Sequence, residues 1–242
     1  MRYLVRAQAI LWGRHCDGFL AFTDEEEEEV TVAERDYDTS TTTTTKAAAT
    51  TTHPQNSELG LFHLDHDGDE SYNNMWQKTR SIMRTLYDNF IDDYDYFYVG
   101  GDDVYLMVDN LRSYLDEELA VWDSIHRHHR QQKEHQKAKP RHFGLWIPNE
   151  MVTGGPGYAL NQEALRQYVE SGTWETCHAD KRISTEDRHI SMCLSSIGIF
   201  GNGTDTRDPA TGEQRFHDSR PSKLYLTRAD PQSRASRARI AS

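Results

Sequence analysis

From Asp24 the chain runs through fifteen residues with nine acids and one arginine (DEEEEEVTVAERDYD), then fifteen with nine threonines (TSTTTTTKAAATTTH). Neither piece offers enough apolar side chain to offset the entropy of ordering it. No core can be threaded through them, so we expect a disordered insertion over 24–57 inside one folded unit. The acidic piece also carries −8 of the formal −12 of the whole chain, leaving the remainder near neutral.

Two basic stretches complete the charge map. Residues 126–142 hold six Lys/Arg and one Glu, and 220–242 hold six Lys/Arg and one Asp. Neither interleaves aromatics, so they are expected as a solvated loop (126–142) and a flexible tail (221–242). With an acidic balance overall, no nucleic-acid partner is expected. No apolar run reaches the length of a membrane span, and the first sixteen residues lack the apolar stretch of a secretion signal.

Outside these segments the pattern is α/β. Gly18–Phe22, Tyr94–Val99 and Phe143–Ile147 are short apolar runs that predict strands. Met75, Ile82, Met83, Leu86 and Phe90 share a helical face within 71–90, after a Ser/Asn start. A helix is expected by Leu111, another over 162–170 capped by Asn161, and another over 186–198. Gly154-Gly155-Pro156-Gly157 predicts a turn leading into Tyr158-Ala159-Leu160. Strands alternating with helices imply a mostly parallel sheet with helices on both faces.

Three places could carry chemistry. Gly100-Gly101-Asp102-Asp103 ends an apolar strand, where open α/β sheets bind ligands. One of these carboxylates with a divalent cation could hold a diphosphate, and an exposed acidic turn has the same composition. Glu186-Asp187 opens a helix, where acids favour the dipole and where a carboxylate can also serve as a general base. His217 could ligate a metal, although a surface histidine is the commoner outcome. Asp65–Glu70 mimics a calcium loop, but its glycine falls at the fourth position and Trp76 at the twelfth, so it is rejected. Of Cys16, Cys177 and Cys193, the last two bracket Glu186-Asp187; a disulfide between them and two buried thiols are equally compatible with that spacing. Asn202-Gly203-Thr204 is a glycosylation sequon.

In order along the chain, Leu11-Trp12-Gly13-Arg14-His15-Cys16, Trp76…Lys78-Thr79, Asp95-Tyr96-Phe97, Gly101-Asp102-Asp103-Val104-Tyr105, Val108–Arg112, Thr153–Leu160, Glu186-Asp187, and Asp205–Asp208 with Phe216-His217 form a connected set. That set resembles the Fringe-like β1,3-glycosyltransferases (glycosyltransferase family 31) over residues 10–220, and most of all the core 1 β1,3-galactosyltransferases. The resemblance implies a GT-A, Rossmann-like fold and inverting transfer from a UDP-sugar, UDP-galactose in the first place. It implies a glycoprotein or glycan acceptor bearing N-acetylgalactosamine, and manganese as the cation. Asp187 matches the catalytic base. Asp103, with His217, matches the metal ligands, and Asp102 shapes the nucleotide-sugar site. Gly154, Gly155, Tyr158 and Glu186 match the donor and acceptor pocket. Cys177 and Cys193 match a disulfide pair, which suits an oxidising lumen. The family further implies a Golgi type II membrane protein, whose anchor is not in this chain, a nucleotide-binding strand before Trp12, and room for a homodimer.

Two departures motivate a second reading. Gly101 stands where the family has the first aspartate of its metal motif, and the strand before Trp12 is missing from the sequence pattern. They suit a catalytically inactive relative that binds or chaperones a glycosyltransferase.

Overall fold

The computed structural model describes residues 2–23, 60–126, 139–147, 151–201, 208, 210–212 and 215–217. The insertion at 24–57, the basic residues 127–138, the sequon and the tail at 221–242 lie outside the described residues.

The chain opens with helix α1, Arg2–Leu11, in place of the strand that the resemblance implies before Trp12. Strand β1, Leu20–Thr23, pairs in parallel with β2, Gly60–His63. Helix α2, Met75–Phe90, buries Trp76, Met83 and Leu86. Of the face its spacing predicts, Met83 and Leu86 are buried and Met75, Ile82 and Phe90 half-buried, while Trp76, outside that face, is fully buried. Its Asn74 does not cap it. The Asn74 amide instead donates to the carbonyls of Asp67 and Asp69, at 2.7 and 3.0 Å, and so closes the loop that mimics a calcium site.

Strand β3, Tyr96–Val99, leads through the Gly-Gly-Asp-Asp turn into helix α3, Val108–His126. Strands β4, His142–Ile147, and β5, Met151–Asn161, follow, then α4, Gln162–Glu170, the single turn α5, Thr173–Thr176, and α6, Glu186–Ser196. Asn161 caps α4 as expected: its Oδ1 accepts from Ala164 N at 3.0 Å.

The larger sheet has the order β3-β5-β4, and both pairings are antiparallel. This differs from the mostly parallel sheet expected; among the described residues parallel pairing is limited to β1–β2 and a single bridge between His142 and Gly201. For the β4–β5 pair the reason is local. Only residues 148–150 join β4 to β5, and so short a link can reverse a strand but cannot carry it back alongside in parallel.

The expected turn at 154–157 is absorbed into β5 as a large bulge. Gly144 pairs with Tyr158, and its neighbour Leu145 pairs with Thr153, so four residues of β5 have no partner on β4. Gly144 leaves room for this crowding, since a Cβ there would overlap Val152.

Both faces of the sheet are covered. Phe97, Tyr158 and Leu160 join Trp76, Met83, Leu165, Tyr168, Ile190 and Leu194 in the main core under α2, α4 and α6. Ala159 and Phe143 point the other way, onto Tyr114, Leu115 and Phe216. The helices-on-both-faces arrangement therefore holds around an antiparallel sheet.

Candidate functional site

The sharpest local geometry joins the β5 bulge to the start of α6. Asp187 Oδ2 accepts a hydrogen bond from Gly154 N at 2.8 Å, and its Oδ1 accepts from Arg188 N at 2.7 Å. The first turn of a helix leaves N–H groups unpaired and carries the positive end of its dipole, so a carboxylate is stabilised there. Gly154 allows a close approach at this contact. A Cβ on it would lie 2.6 Å from Glu186 Oε1 and 3.1 Å from Asp187 Cβ. The glycine thus lets two adjacent acids close onto the bulge.

The two acids differ in setting. Burial pushes the Glu186 carboxyl above the usual range, and the neighbouring Asp187 charge adds to the effect. Tyr158 lies beneath them, 2% exposed. Its phenol is raised well above the ordinary value, first by burial and then by the negative potentials of Glu186 and Asp187. Its hydroxyl has no hydrogen-bond partner among the described residues. The ring meets His142 edge to face at 5.4 Å. His142 is fully buried and burial holds its imidazole down to about 3, so it is neutral at physiological pH.

The structure thus gathers Gly154, Tyr158, Glu186 and Asp187 in one place, as the sequence suggests. Gly155 lies within the same bulge.

The loop carrying the acids is held from two sides. Cys177 and Cys193 form a disulfide, which resolves the alternative left open by their spacing. Opposite it, α2 binds the same segment through its backbone carbonyls. Trp76 Nε1 donates to His178 O at 2.9 Å, and Gln77 Nε2 donates to Ala179 O at 2.8 Å and Lys181 O at 2.6 Å. Arg80 Nη1 also donates to Ala179 O at 3.0 Å. His178 takes the left-handed conformation, φ 52°, and its ring lies 4.9 Å from that of His189 on α6.

Asp102 and Asp103 occupy a separate turn at the end of β3. Asp102 is half-buried and Asp103 exposed. Val104 N donates to Gly101 O at 3.3 Å, and a Cβ at position 101 would sit 3.0 Å from Asp103 Oδ1. Helix α1 steadies this turn: Gln8 Nε2 donates to Gly101 O at 2.8 Å and to Val104 O at 3.0 Å. Sequence reasoning gave Gln8 no role, because a lone glutamine 93 residues away carries no periodic signal.

His217 is exposed, beside the buried Phe216 that packs on Tyr114 at 5.8 Å. Arg215 fixes this segment to α3 through both carboxylate oxygens of Glu117, at 2.8 and 3.0 Å. No hydrogen bond or ion pair joins His217 to Asp103, and no three metal-ligating side chains converge among the described residues. Nor, among those residues, is any helix long and apolar enough to cross a membrane.

No family model matches the chain. Among curated proteins it is 27% identical over 162 residues to a glycoprotein-N-acetylgalactosamine 3-beta-galactosyltransferase 1 of Xenopus laevis. The match takes in 65% of this chain and 39% of that protein, so the chain spans about two fifths of the relative's length. Over those residues, the chain is a distant relative of a β3-galactosyltransferase.

Proposed function

We propose that the chain acts as an inverting β1,3-glycosyltransferase, moving galactose from UDP-galactose to an N-acetylgalactosamine-bearing glycoprotein. The observation that carries this reading is the Asp187 carboxylate fixed against the glycine bulge by Gly154 N–H. Both of its oxygens accept one backbone N–H and keep lone pairs for a substrate hydroxyl. In the reaction, Asp187 takes the proton of the acceptor hydroxyl as its oxygen bonds to the anomeric carbon. The bond from that carbon to UDP breaks, and the electron pair stays on the β-phosphate oxygen. The glycines bring backbone close to the sugars, with the half-buried Glu186 beside the base. Tyr158, expected from the resemblance to line the pocket, is instead buried in the core and supports the acids from beneath.

A divalent cation such as manganese would offset the charge on the departing UDP. Cations of this kind use one or two carboxylates and take their other ligands from substrate phosphates. The exposed Asp103 carboxylate would supply one such ligand, and the resemblance would add His217 as an imidazole donor and Asp102 beside the nucleotide. The disulfide suits a secretory lumen, in keeping with a Golgi enzyme.

A second reading, the inactive relative that binds or chaperones a glycosyltransferase, is favoured by Gly101 in the metal motif. One experiment separates them: manganese-dependent release of UDP from UDP-galactose with an N-acetylgalactosamine acceptor. The enzyme reading expects turnover that Asp187→Asn lowers by about 10²–10⁴-fold. A folded wild-type protein without turnover, or an Asp187→Asn variant as active as wild type, rejects it.

A further inference from the structure

We propose that Tyr98 is a positioning residue that couples the β5 bulge to the Gly-Gly-Asp-Asp turn and thereby holds the Asp187 carboxylate in place. The inference rests on the reading of Asp187 as the base, and its first test does not depend on that reading.

Tyr98 is the third residue of β3. Its neighbour Phe97 enters the main core, and strand alternation turns Tyr98 to the opposite face. There its ring packs edge to face on Trp12 at 6.5 Å. Burial pushes its phenol far above the ordinary value, so the hydroxyl stays protonated and acts as a donor. It donates to Pro156 O at 2.6 Å, 58 residues away, in the centre of the bulge.

Two glycines show how closely the tyrosine is fitted. Gly157 has φ +72°, and a Cβ on it would overlap the Tyr98 hydroxyl. On the other side, a Cβ on Gly100 would sit 3.2 Å from Tyr98 Cε1. One ring therefore fills the space between the turn that carries Asp102 and Asp103 and the bulge that carries Gly154. The bulge has no partners on β4 at residues 154–157, so the Pro156 carbonyl has no ladder bond there and Tyr98 supplies its donor. Gly154 lies two residues away and hands the constraint to Asp187 through its N–H.

The test is Tyr98→Phe, which keeps the ring and deletes only the donor. Hydrogen exchange at the Gly154 amide, read by NMR on the substrate-free protein, is expected to quicken about tenfold, with amides of α2 and α4 unchanged. In UDP release from UDP-galactose, kcat is expected to fall about ten- to hundredfold while KM for the donor stays within about twofold. Gly157→Ala, which presses a methyl against the same hydroxyl, is expected to move Gly154 exchange in the same direction. If Gly154 exchange in Tyr98→Phe matches wild type, the positioning role is wrong. If wild type shows no transfer while Gly154 still responds to Tyr98→Phe, the coupling stands and the enzyme reading falls.

Discussion

Replacing Cys177 and Cys193 together with alanine tests what holds the loop that carries the acids. The bridge spans a sequence separation of 16, and Cys193 is fully buried. A cross-link closing a loop of that size restricts the unfolded chain by about 3 kcal/mol at room temperature. The native loop has independent support. Carbonyls of His178, Ala179 and Lys181 accept from Trp76, Gln77 and Arg80 at 2.6 to 3.0 Å, and Ile183 O accepts from Trp76 N at 3.0 Å. Losing the bridge should therefore leave the native geometry in place and act on the unfolded state. In urea melts followed by tryptophan fluorescence, with a slope of about 2 kcal/mol per molar, the midpoint should fall by roughly 1.5 M. The slope should rise slightly, because the unfolded chain without the cross-link exposes more surface, and the Gly154 amide should stay protected. A drop below about 1 kcal/mol would refute the loop-entropy reasoning. Loss of Gly154 protection in the folded variant would show instead that the bridge, and not α2, places the acids.

Two further perturbations follow from the same structure. Asn161 serves three backbone groups, accepting from Arg141 N and Ala164 N and donating to Lys139 O, at 2.8, 3.0 and 2.8 Å. Asn161→Ala should lower stability by about 1–3 kcal/mol in thermal melts, whereas Asn161→Asp, which keeps both acceptor roles, should recover part of it. The raised Glu186 carboxyl gives a pH signature. Its folded value lies above its unfolded one, so its contribution to stability is full at acid pH. That contribution is lost as pH rises from the ordinary glutamate value through the raised folded value. Glu186→Gln should therefore flatten melting temperature against pH over that window and be the more stable protein at neutral pH. Parallel curves for the two proteins would contradict the burial of Glu186.

The local elements were legible in the sequence because each carries its own signal. The Met83–Leu86 pair on α2, the Asn161 cap and the acids at the start of α6 all depend on spacing within one or two turns. Sheet direction was not legible. For β4–β5 it depends on the three residues 148–150, whose shortness only matters once both flanking strands are known to pair. For β3–β5 it depends on a pairing between segments far apart in the chain, residues 96–99 and 158–161. Gly154-Gly155-Pro156-Gly157 was read as a turn because composition marks a break in regular backbone without saying that the same strand resumes beyond it. The site was half legible: Glu186, Asp187, Gly154 and Tyr158 stood out as motif residues. Tyr98 and Gln8 did not, because they act through long-range hydrogen bonds to carbonyls, one from Tyr98 and two from Gln8. His142 was hidden for a related reason: a histidine at the end of a basic run gives no hint that it is fully buried.

The bond between Gly154 and Asp187 also has a kinetic meaning. It spans 33 residues, and the α2 contacts to residues 178–181 span 99 to 104. The β4–β5 hairpin closes over three residues and can form early, but the carboxylate gains its partner only after α2 and α6 have docked across long stretches of chain. The candidate base therefore rests on contacts of high sequence separation, which carry a larger loop-closure cost than the β4–β5 hairpin.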